Sequence, residues 1–129
     1  MRYTPLHWGS LKQQNECVRE LLKKSTINST ISDEEGKTPL ILSAESGHLE
    51  CILLLLSHPS VDINIQDSDG RTALHEATES SHTDGIRTLL KEKNVNINIK
   101  DNNGRTAYNI TKEIFFLMLM NILFFYKHI

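Results

Sequence analysis

The residues that could do chemistry in this 129-residue chain are four of its histidines and a pair of aspartates. Histidine is the usual metal ligand and acid–base catalyst near neutral pH, so His7, His48, His75 and His82 are candidates for both roles. The run from Asp67 to Gly70 resembles the opening of a calcium loop, but the glutamate needed at its end is missing. No His-x-x-x-His pair occurs, which removes the commonest helical zinc motif.

The same residue types recur along the chain at one fixed interval. Glycines and threonines both keep it: Gly36, Gly70 and Gly104, and Thr4, Thr38, Thr72 and Thr106. Laying residues 36–69 over 70–103, one repeat period further on, leaves 14 of 34 positions identical. A spacing kept without slippage over three intervals indicates a repeat array. His48 and His82 are equivalent positions in it, which favours a structural role over a metal or catalytic one.

The recurring stretch has a family likeness. Thr4-Pro5-Leu6-His7, Thr38-Pro39-Leu40 and Gly70-Arg71-Thr72-Ala73-Leu74-His75-Glu76-Ala77 resemble the Thr-Pro-Leu-His signature of ankyrin repeats, whose usual length is about 33 residues. The resemblance covers roughly residues 3–112. It implies an all-α fold, an ankyrin-type solenoid of helix-turn-helix repeats with short β-hairpin fingers. It also implies that His7 and His75 hydrogen-bond between adjacent repeats.

The period divides the chain into an array over residues 1–112 and an apolar tail over 113–129. The units of the array are residues 1–35, 36–69 and 70–103, with a partial unit at 104–112. Ahead of each later unit, as in Val61–Gln66, apolar and polar residues alternate, which predicts a short extended finger. The Asp-x-x-Gly that follows predicts a turn in which Asp67 accepts backbone hydrogen bonds and Gly70 has a positive φ. Thr72 is then expected to cap a helix.

Composition excludes several classes of function. The chain is 39% hydrophobic and 23% charged with a net charge of −2, which suits one small folded domain and lacks the basic excess of a general nucleic-acid binder. Cys17 and Cys51 lie in equivalent places of neighbouring repeats, too far apart for a disulfide, and both are expected to be reduced packing residues. With no signal-peptide pattern at the N-terminus, we expect a cytoplasmic protein, the nucleus not being excluded.

The sequence predicts a non-catalytic protein–protein interaction module, a scaffold or adaptor whose partner is another protein. No Gly-x-Ser-x-Gly elbow or glycine-rich phosphate loop is present, so we expect no enzyme activity, no cofactor and no metal. The alternative is that the chain is a truncated ankyrin segment of a larger multidomain protein, such as a membrane channel or an enzyme, with a positioning or regulatory role. Nothing in the sequence identifies the partner, since a fold does not fix a function.

Recognition is expected at two surfaces of the array. The first is the row of finger tips, and its candidate residues are Glu34, Glu35, Lys37, Gln66, Ser68, Asp69, Arg71, Lys100, Asn102, Asn103 and Arg105. The second is the position after the motif histidine, occupied by Trp8, Leu42, Glu76 and Ile110 in successive repeats. This row is expected to be partly open to the groove, with Trp8 as a binding hot spot. The alternative for Trp8 is that it packs on its own terminal repeat.

The tail departs from the repeat. Tyr108 takes the place of Leu74 in register, Phe115 falls where the inter-helix turn has Gly47 or Ser81, and Ile114 to Tyr126 contains one strongly polar residue, Asn121. Thirteen residues make a helix of about 20 Å, too short for a membrane core of about 30 Å. A terminal cap would need a polar outer face, which this segment lacks. The third alternative is that the segment is a remnant left by truncation. We expect a terminal apolar helix packed partly on the stack, whose exposed surface favours self-association; membrane contact is disfavoured but left open.

Overall fold

The structure is a computed structural model that describes residues 3–24 and 26–127. Within those residues three helix pairs are followed by one long helix. The helices are α1 (Pro5–Leu11), α2 (Asn15–Leu22), α3 (Pro39–Ser46), α4 (Leu49–Leu56), α5 (Ala73–Glu79), α6 (Thr83–Leu90) and α7 (Ala107–Lys127). Helices α1, α3, α5 and α7 stack on one another in one row, and α2, α4 and α6 form a second row. The all-helical repeat fold predicted from the sequence is confirmed.

The first helix of each repeat begins at the predicted threonine. Thr4, Thr38 and Thr72 are extended in backbone conformation, and each hydroxyl accepts the N–H of the third helical residue. Pro5 and Pro39 follow directly, where the first turn has no use for a backbone donor. The caps therefore fix the start of every first helix at the same point of the repeat.

A tight turn reverses the chain between the two helices of each pair. Its central residue has a left-handed backbone in all three repeats, with φ of 56° at Gln13, 74° at Gly47 and 59° at Ser81. A backbone bond closes the turn, as from His48 N to Ser43 O at 3.0 Å. This geometry brings the second helix back against the first.

The core lies between the two rows of helices. Leu6, Leu40 and Leu74 are at most 5% exposed, as the repeat pattern predicts for the first helices. Leu55 and Leu89 of the second helices are fully buried. The cysteine prediction is half wrong: both thiols are free and Cys51 is buried, but Cys17 is exposed. Cys17 lies in the first repeat, where no described repeat covers that side of α2.

The motif histidines join one repeat to the next. In His7 and His75, Nδ1 accepts the backbone N–H of the capping threonine at 3.1 Å, so the proton resides on Nε2. That Nε2–H donates to a carbonyl of the following repeat, Lys37 O or Arg105 O, at 2.9 Å in each case. The predicted hydrogen bond between repeats is confirmed, with helix capping as a second function of the same ring.

His48 and His82 make ties in the other direction. The His48 ring lies 2.9 Å from Ser10 O, and the His82 ring lies 3.1 Å from Glu45 O. In both cases the carbonyl belongs to the first helix of the preceding repeat. The four histidines that first suggested chemistry thus have their hydrogen-bond partners supplied by the stack.

The fingers differ from the predicted hairpins. Across the described ranges no β-strand is present, and residues 61–66 are irregular apart from a turn at residues 63 and 64. The polar side chains divert the backbone: Asp62 Oδ1 accepts Asn64 N at 2.9 Å, and Asn96 Oδ1 accepts Asn98 N at 3.0 Å. The predicted alternation of faces survives in part, since Ile63 is buried while Asp62 is exposed.

Helix α7 starts as the first helix of a fourth repeat and then leaves the stack. Ala107 and Ile110 are buried against α5, and α7 continues across the predicted boundary at residue 112 without a break. Tyr108 holds the place of Leu74 in register, but it is 69% exposed whereas Leu74 is buried. Leu74 is covered by the repeat that follows it, whereas no described residue covers Tyr108 in the same way.

The part of α7 beyond the stack is apolar and exposed. Its side chains from Phe115 to Leu123, Asn121 apart, are 42% to 66% exposed. The apolar helical stretch is longer than the thirteen residues counted from the sequence. A 19-residue window, Ala107–Phe125, has a mean hydropathy of 1.3 and so has the length and composition of a membrane span. The first turns of that window are packed against α5, so spanning a bilayer would require them to leave the third repeat.

Candidate partner-binding surface

Three aspartate turns form a rigid row along one edge of the stack. Oδ1 of Asp67 accepts Asp69 N at 2.9 Å and Arg71 N at 3.0 Å, and the same pair of bonds recurs at Asp33 and Asp101. Burial raises the pKa of Asp101, but these two backbone hydrogen bonds outweigh it and lower that pKa. The aspartates therefore shape the turns and are not available to a partner.

Backbone bonds also join each turn to the next. Ser68 N donates to Glu35 O at 3.0 Å, and Asn102 N donates to Asp69 O at 2.9 Å. The glycines that end the first two turns allow this close approach, because Gly36 and Gly70 have left-handed backbones with φ of 78° and 77°. The three turns consequently form one continuous platform.

The predicted finger-tip residues are of two kinds. Ser68, Asp69, Lys100 and Asn103 are exposed and point away from the platform's own hydrogen bonds. Gln66 and Asn102 are exposed as well, but their amide groups hold the platform together. Gln66 Nε2 donates to Gly70 O at 2.8 Å, and Asn102 Nδ2 donates to Ser68 O at 2.9 Å.

A row of ion pairs lies below the turns, one pair for each of the three turns. Each joins a cation to a glutamate eight residues later: Lys37 to Glu45 at 3.0 Å, Arg71 to Glu79 at 3.4 Å and Arg105 to Glu113 at 2.8 Å. We call these six residues the ion-pair ladder. Both members recur once in every repeat period, so the signal was present in the sequence and was missed.

The ion-pair ladder corrects the assignment of Arg71 and Arg105 as free finger tips. The side chain of Arg71 is only 13% exposed, and that of Arg105 is 27% exposed. Burial lowers the pKa of the equivalent Lys37, but the hydrogen bond and charge of Glu45 outweigh it and raise that pKa. Lys37, Arg71 and Arg105 are thus each paired with a glutamate of the same chain.

The comparison with known protein families agrees with this architecture. A family model described as ankyrin repeats (3 copies) matches residues 1–67 and 54–110. The chain belongs to the ankyrin-repeat family. A comparison with curated proteins finds no match to this sequence. Ankyrin repeats are generally protein–protein interaction modules and are typically non-catalytic.

The second predicted surface of this ankyrin array is closed. Leu42 is 6% exposed, Glu76 9% and Ile110 1%, so the expectation that their row opens to the groove is wrong. The row faces the first helix of the preceding repeat. Trp8 is 47% exposed because no described helix precedes α1, so its open side belongs to the end face of the stack.

Glu76 is the one charged residue of that buried row. Arg71 Nε lies 2.9 Å from Glu76 Oε1, as an ion pair without hydrogen-bond geometry. Burial raises the pKa of Glu76 and outweighs the lowering by Arg71, while nearby Glu45 raises it further. The fold therefore favours the protonated form of Glu76 more than the unfolded chain does.

We expect this pKa to appear in the pH dependence of stability. A carboxyl with a raised pKa in the fold adds stability at low pH, and that stability is lost as pH rises through the folded-state pKa. The free energy of unfolding of Glu76→Gln minus that of the wild type should consequently increase from about pH 4 to about pH 7.5. Urea midpoints of both proteins across that range measure it. A difference that is constant or decreases with pH contradicts the assignment.

The chemistry suggested first by the histidines finds no support in the geometry. Among the residues that the structure describes, no three His, Cys, Asp or Glu side chains are grouped to hold a metal ion. Both ring nitrogens of His7 and His75 are hydrogen-bonded to a threonine cap and a backbone carbonyl, and one ring nitrogen each of His48 and His82 is bonded to a backbone carbonyl. The candidate surface is therefore the platform of turns and the end of the stack.

Proposed function

We propose that this ankyrin array binds a partner protein across the tips of its first two turns, and that the partner segment carries basic side chains. The observation that carries the proposal is the sign of the charges left exposed there. Glu34, Glu35 and Asp69 are exposed on the platform, while Lys37 and Arg71 below them are tied into the ion-pair ladder. Lys37 also lies 3.6 Å from Glu35, whose side chain nevertheless remains 75% exposed.

The charge changes along the row and so gives the surface a direction. The third turn carries Asn102, Asn103 and an exposed Lys100 in place of acidic residues. A basic segment lying along the platform would gain most over the first two turns and least over the third. The rigid spacing of the turns adds specificity, because the acidic tips are held by backbone bonds before the partner arrives.

The test uses a library of random displayed peptides selected against the full chain. We expect enriched peptides to carry Lys or Arg, and a synthetic consensus to bind at least about tenfold more weakly to Glu34→Gln/Glu35→Gln/Asp69→Asn, a loss of about 1.4 kcal/mol. Binding to the wild type should also weaken with added salt.

The matched control makes the same charge change elsewhere. Glu16→Gln/Glu20→Gln/Asp84→Asn removes three exposed carboxylates from second helices, outside the platform. This variant should bind the consensus peptide as the wild type does. Equal losses in both triple variants, or enriched peptides without basic residues, would reject the proposed surface.

A further inference from the structure

The C-terminal half of α7 keeps the repeat register at the core positions of a second helix. One repeat period on from Ile52 and Ile86 comes Met120, and one period on from Leu55 and Leu89 comes Leu123. Leu55 and Leu89 are fully buried, whereas Leu123 is 55% exposed and Met120 is 47% exposed. Residues 117–124 therefore have the apolar pattern of the missing second helix but lie outside its place.

Phe115 explains why this segment does not fold back. The left-handed turn residues Gln13, Gly47 and Ser81 are spaced by one repeat period, and the next position in that series is Phe115. A bulky aromatic residue is a poor occupant of the left-handed region. Helix α7 accordingly runs straight through Phe115, and residues 117–124 extend away from their own stack.

The place that a second helix would fill is open. A cleft of about 370 Å³ lies between α6 and α7, the two helices that a second helix of the fourth repeat would contact, as α6 contacts α4 and α5. Its walls include Leu74 and Ile86, together with Leu90, which is 49% exposed, and Ile97, which is 53% exposed. The chain thus contains an apolar segment that lacks the turn needed to fold back, and an apolar slot in which such a segment would fit.

We propose that two copies of the chain exchange these segments, so that residues 117–124 of one copy fill the slot between α6 and α7 of the other. Each second helix runs antiparallel to the first helix of its own repeat, and the exchanged segment would keep that direction. Ala77 faces Gly85 in the third repeat, where a Cβ on Gly85 would lie 4.0 Å from Ala77 Cβ. Moving both positions on by one repeat period places Thr111 of one copy opposite Leu119 of the other.

This pairing is symmetric. Phe115 lies midway between Thr111 and Leu119, so two antiparallel α7 helices are related by a two-fold axis passing beside Phe115. Each copy then gives and receives the same segment, which is the closed arrangement expected of a homodimer. The residue that prevents the turn within one chain becomes the centre of the contact between two.

The exposed apolar surface of α7 is large enough to favour association. Eight apolar side chains from Phe115 to Leu123 are 42% to 66% exposed. At roughly 100 Å² each they expose about 800 Å² around the helix, and the exchanged segment would bury the side of it that faces the slot. A patch of that size is rarely left uncovered on a monomer.

Two substitutions in the full chain test the register. Leu123→Glu places a charge at the buried position of Leu55 and Leu89, whereas Met118→Glu places it where the three repeats have the exposed acidic residues Glu16, Glu50 and Asp84. In sedimentation velocity we expect the wild type and Met118→Glu to be dimers and Leu123→Glu to be a monomer. Equal dissociation by both substitutions would mean unspecific apolar association and would overturn the proposal.

A third variant tests the exchange itself. Phe115→Gly restores the residue type that Gly47 provides, so residues 117–124 can fold back into their own slot, and we expect a folded monomer by circular dichroism and sedimentation. A Phe115→Gly dimer, a monomeric or larger wild type, or wild type that floats with phosphatidylcholine vesicles instead of dimerising, would each overturn it. A thermal midpoint that rises with protein concentration for the wild type but not for Phe115→Gly supports it.

Discussion

Replacing Gly70 with alanine is expected to lower the free energy of unfolding by about 2 to 5 kcal/mol. Part of the loss is conformational, because Gly70 has a φ of 77° and an L-residue pays about 1 to 2 kcal/mol for the left-handed backbone. The rest is steric. A Cβ there would lie 2.8 Å from the backbone N of Asn102 and 2.5 Å from its Oδ1, so adjacent turns would have to separate.

Gly104 provides a matched control for this substitution. Its φ of 76° is nearly the same, but a Cβ on Gly104 would meet no atom within 4 Å. Gly104→Ala should therefore cost only the conformational part, about 1 to 2 kcal/mol. Urea unfolding of the three proteins, followed by far-UV circular dichroism, gives both differences. If the two alanine variants have equal midpoints, the close contact between the second and third turns is not significant for stability.

The repeat period was sufficient to predict most of the construction. Any position one period away from a threonine cap, an Asp-x-x-Gly turn or a core leucine has the same environment, so one motif such as Asp67–Ala77 predicts its neighbours. The motif residues act locally, through hydrogen bonds within four residues, and local chemistry can be recognised in a sequence. This is why the caps and the positive φ at Gly70 were predicted correctly, while the inter-repeat bond of His75 followed from the family resemblance.

The same period could not predict which residues a partner would meet. A register identifies equivalent positions but not the neighbour that each one faces, and the row of Trp8, Leu42, Glu76 and Ile110 has mixed polarity. Its burial depends on how closely first helices stack. Glu76 in particular is charged, and a charged residue is assigned to the surface until its pairing with Arg71 is seen.

The strand prediction was wrong for a different reason. Alternation in Val61–Gln66 satisfies the strand pattern, but Asp62 offers the backbone N–H of Asn64 a local hydrogen bond that competes with strand pairing. The sequence also carried the correct signal in α7 without its consequence. Phe115 is foreign to the turn, and the second-helix spacing of Met120 and Leu123 can be counted in the sequence, yet only the continuous helix shows that these residues do not fold back.

The other large effect is expected at His75, where two contributions can be separated by two substitutions. The ring caps α5 through Nδ1 and reaches Arg105 O through Nε2 at 2.9 Å, and the side chain is 1% exposed. His75→Ala removes both hydrogen bonds and leaves a cavity, so we expect a loss of about 2 to 4 kcal/mol. Urea unfolding of the full chain measures it.

The fourth repeat shows a residue that keeps the cap but does not reach the next repeat. Asn109 occupies the place of His75, and its Oδ1 accepts Thr106 N at 2.9 Å, as the histidine Nδ1 does for Thr72. His75→Asn should therefore keep the cap and lose the longer reach to Arg105 O. Because that carbonyl still accepts Asp101 N at 2.8 Å, the loss should be smaller than for alanine by about 1 kcal/mol. If asparagine is as destabilising as alanine, the Nδ1 cap contributes little to stability. The hydrogen bond from Nε2 to the next repeat would then be the reason that His7 and His75 hold the same ring geometry.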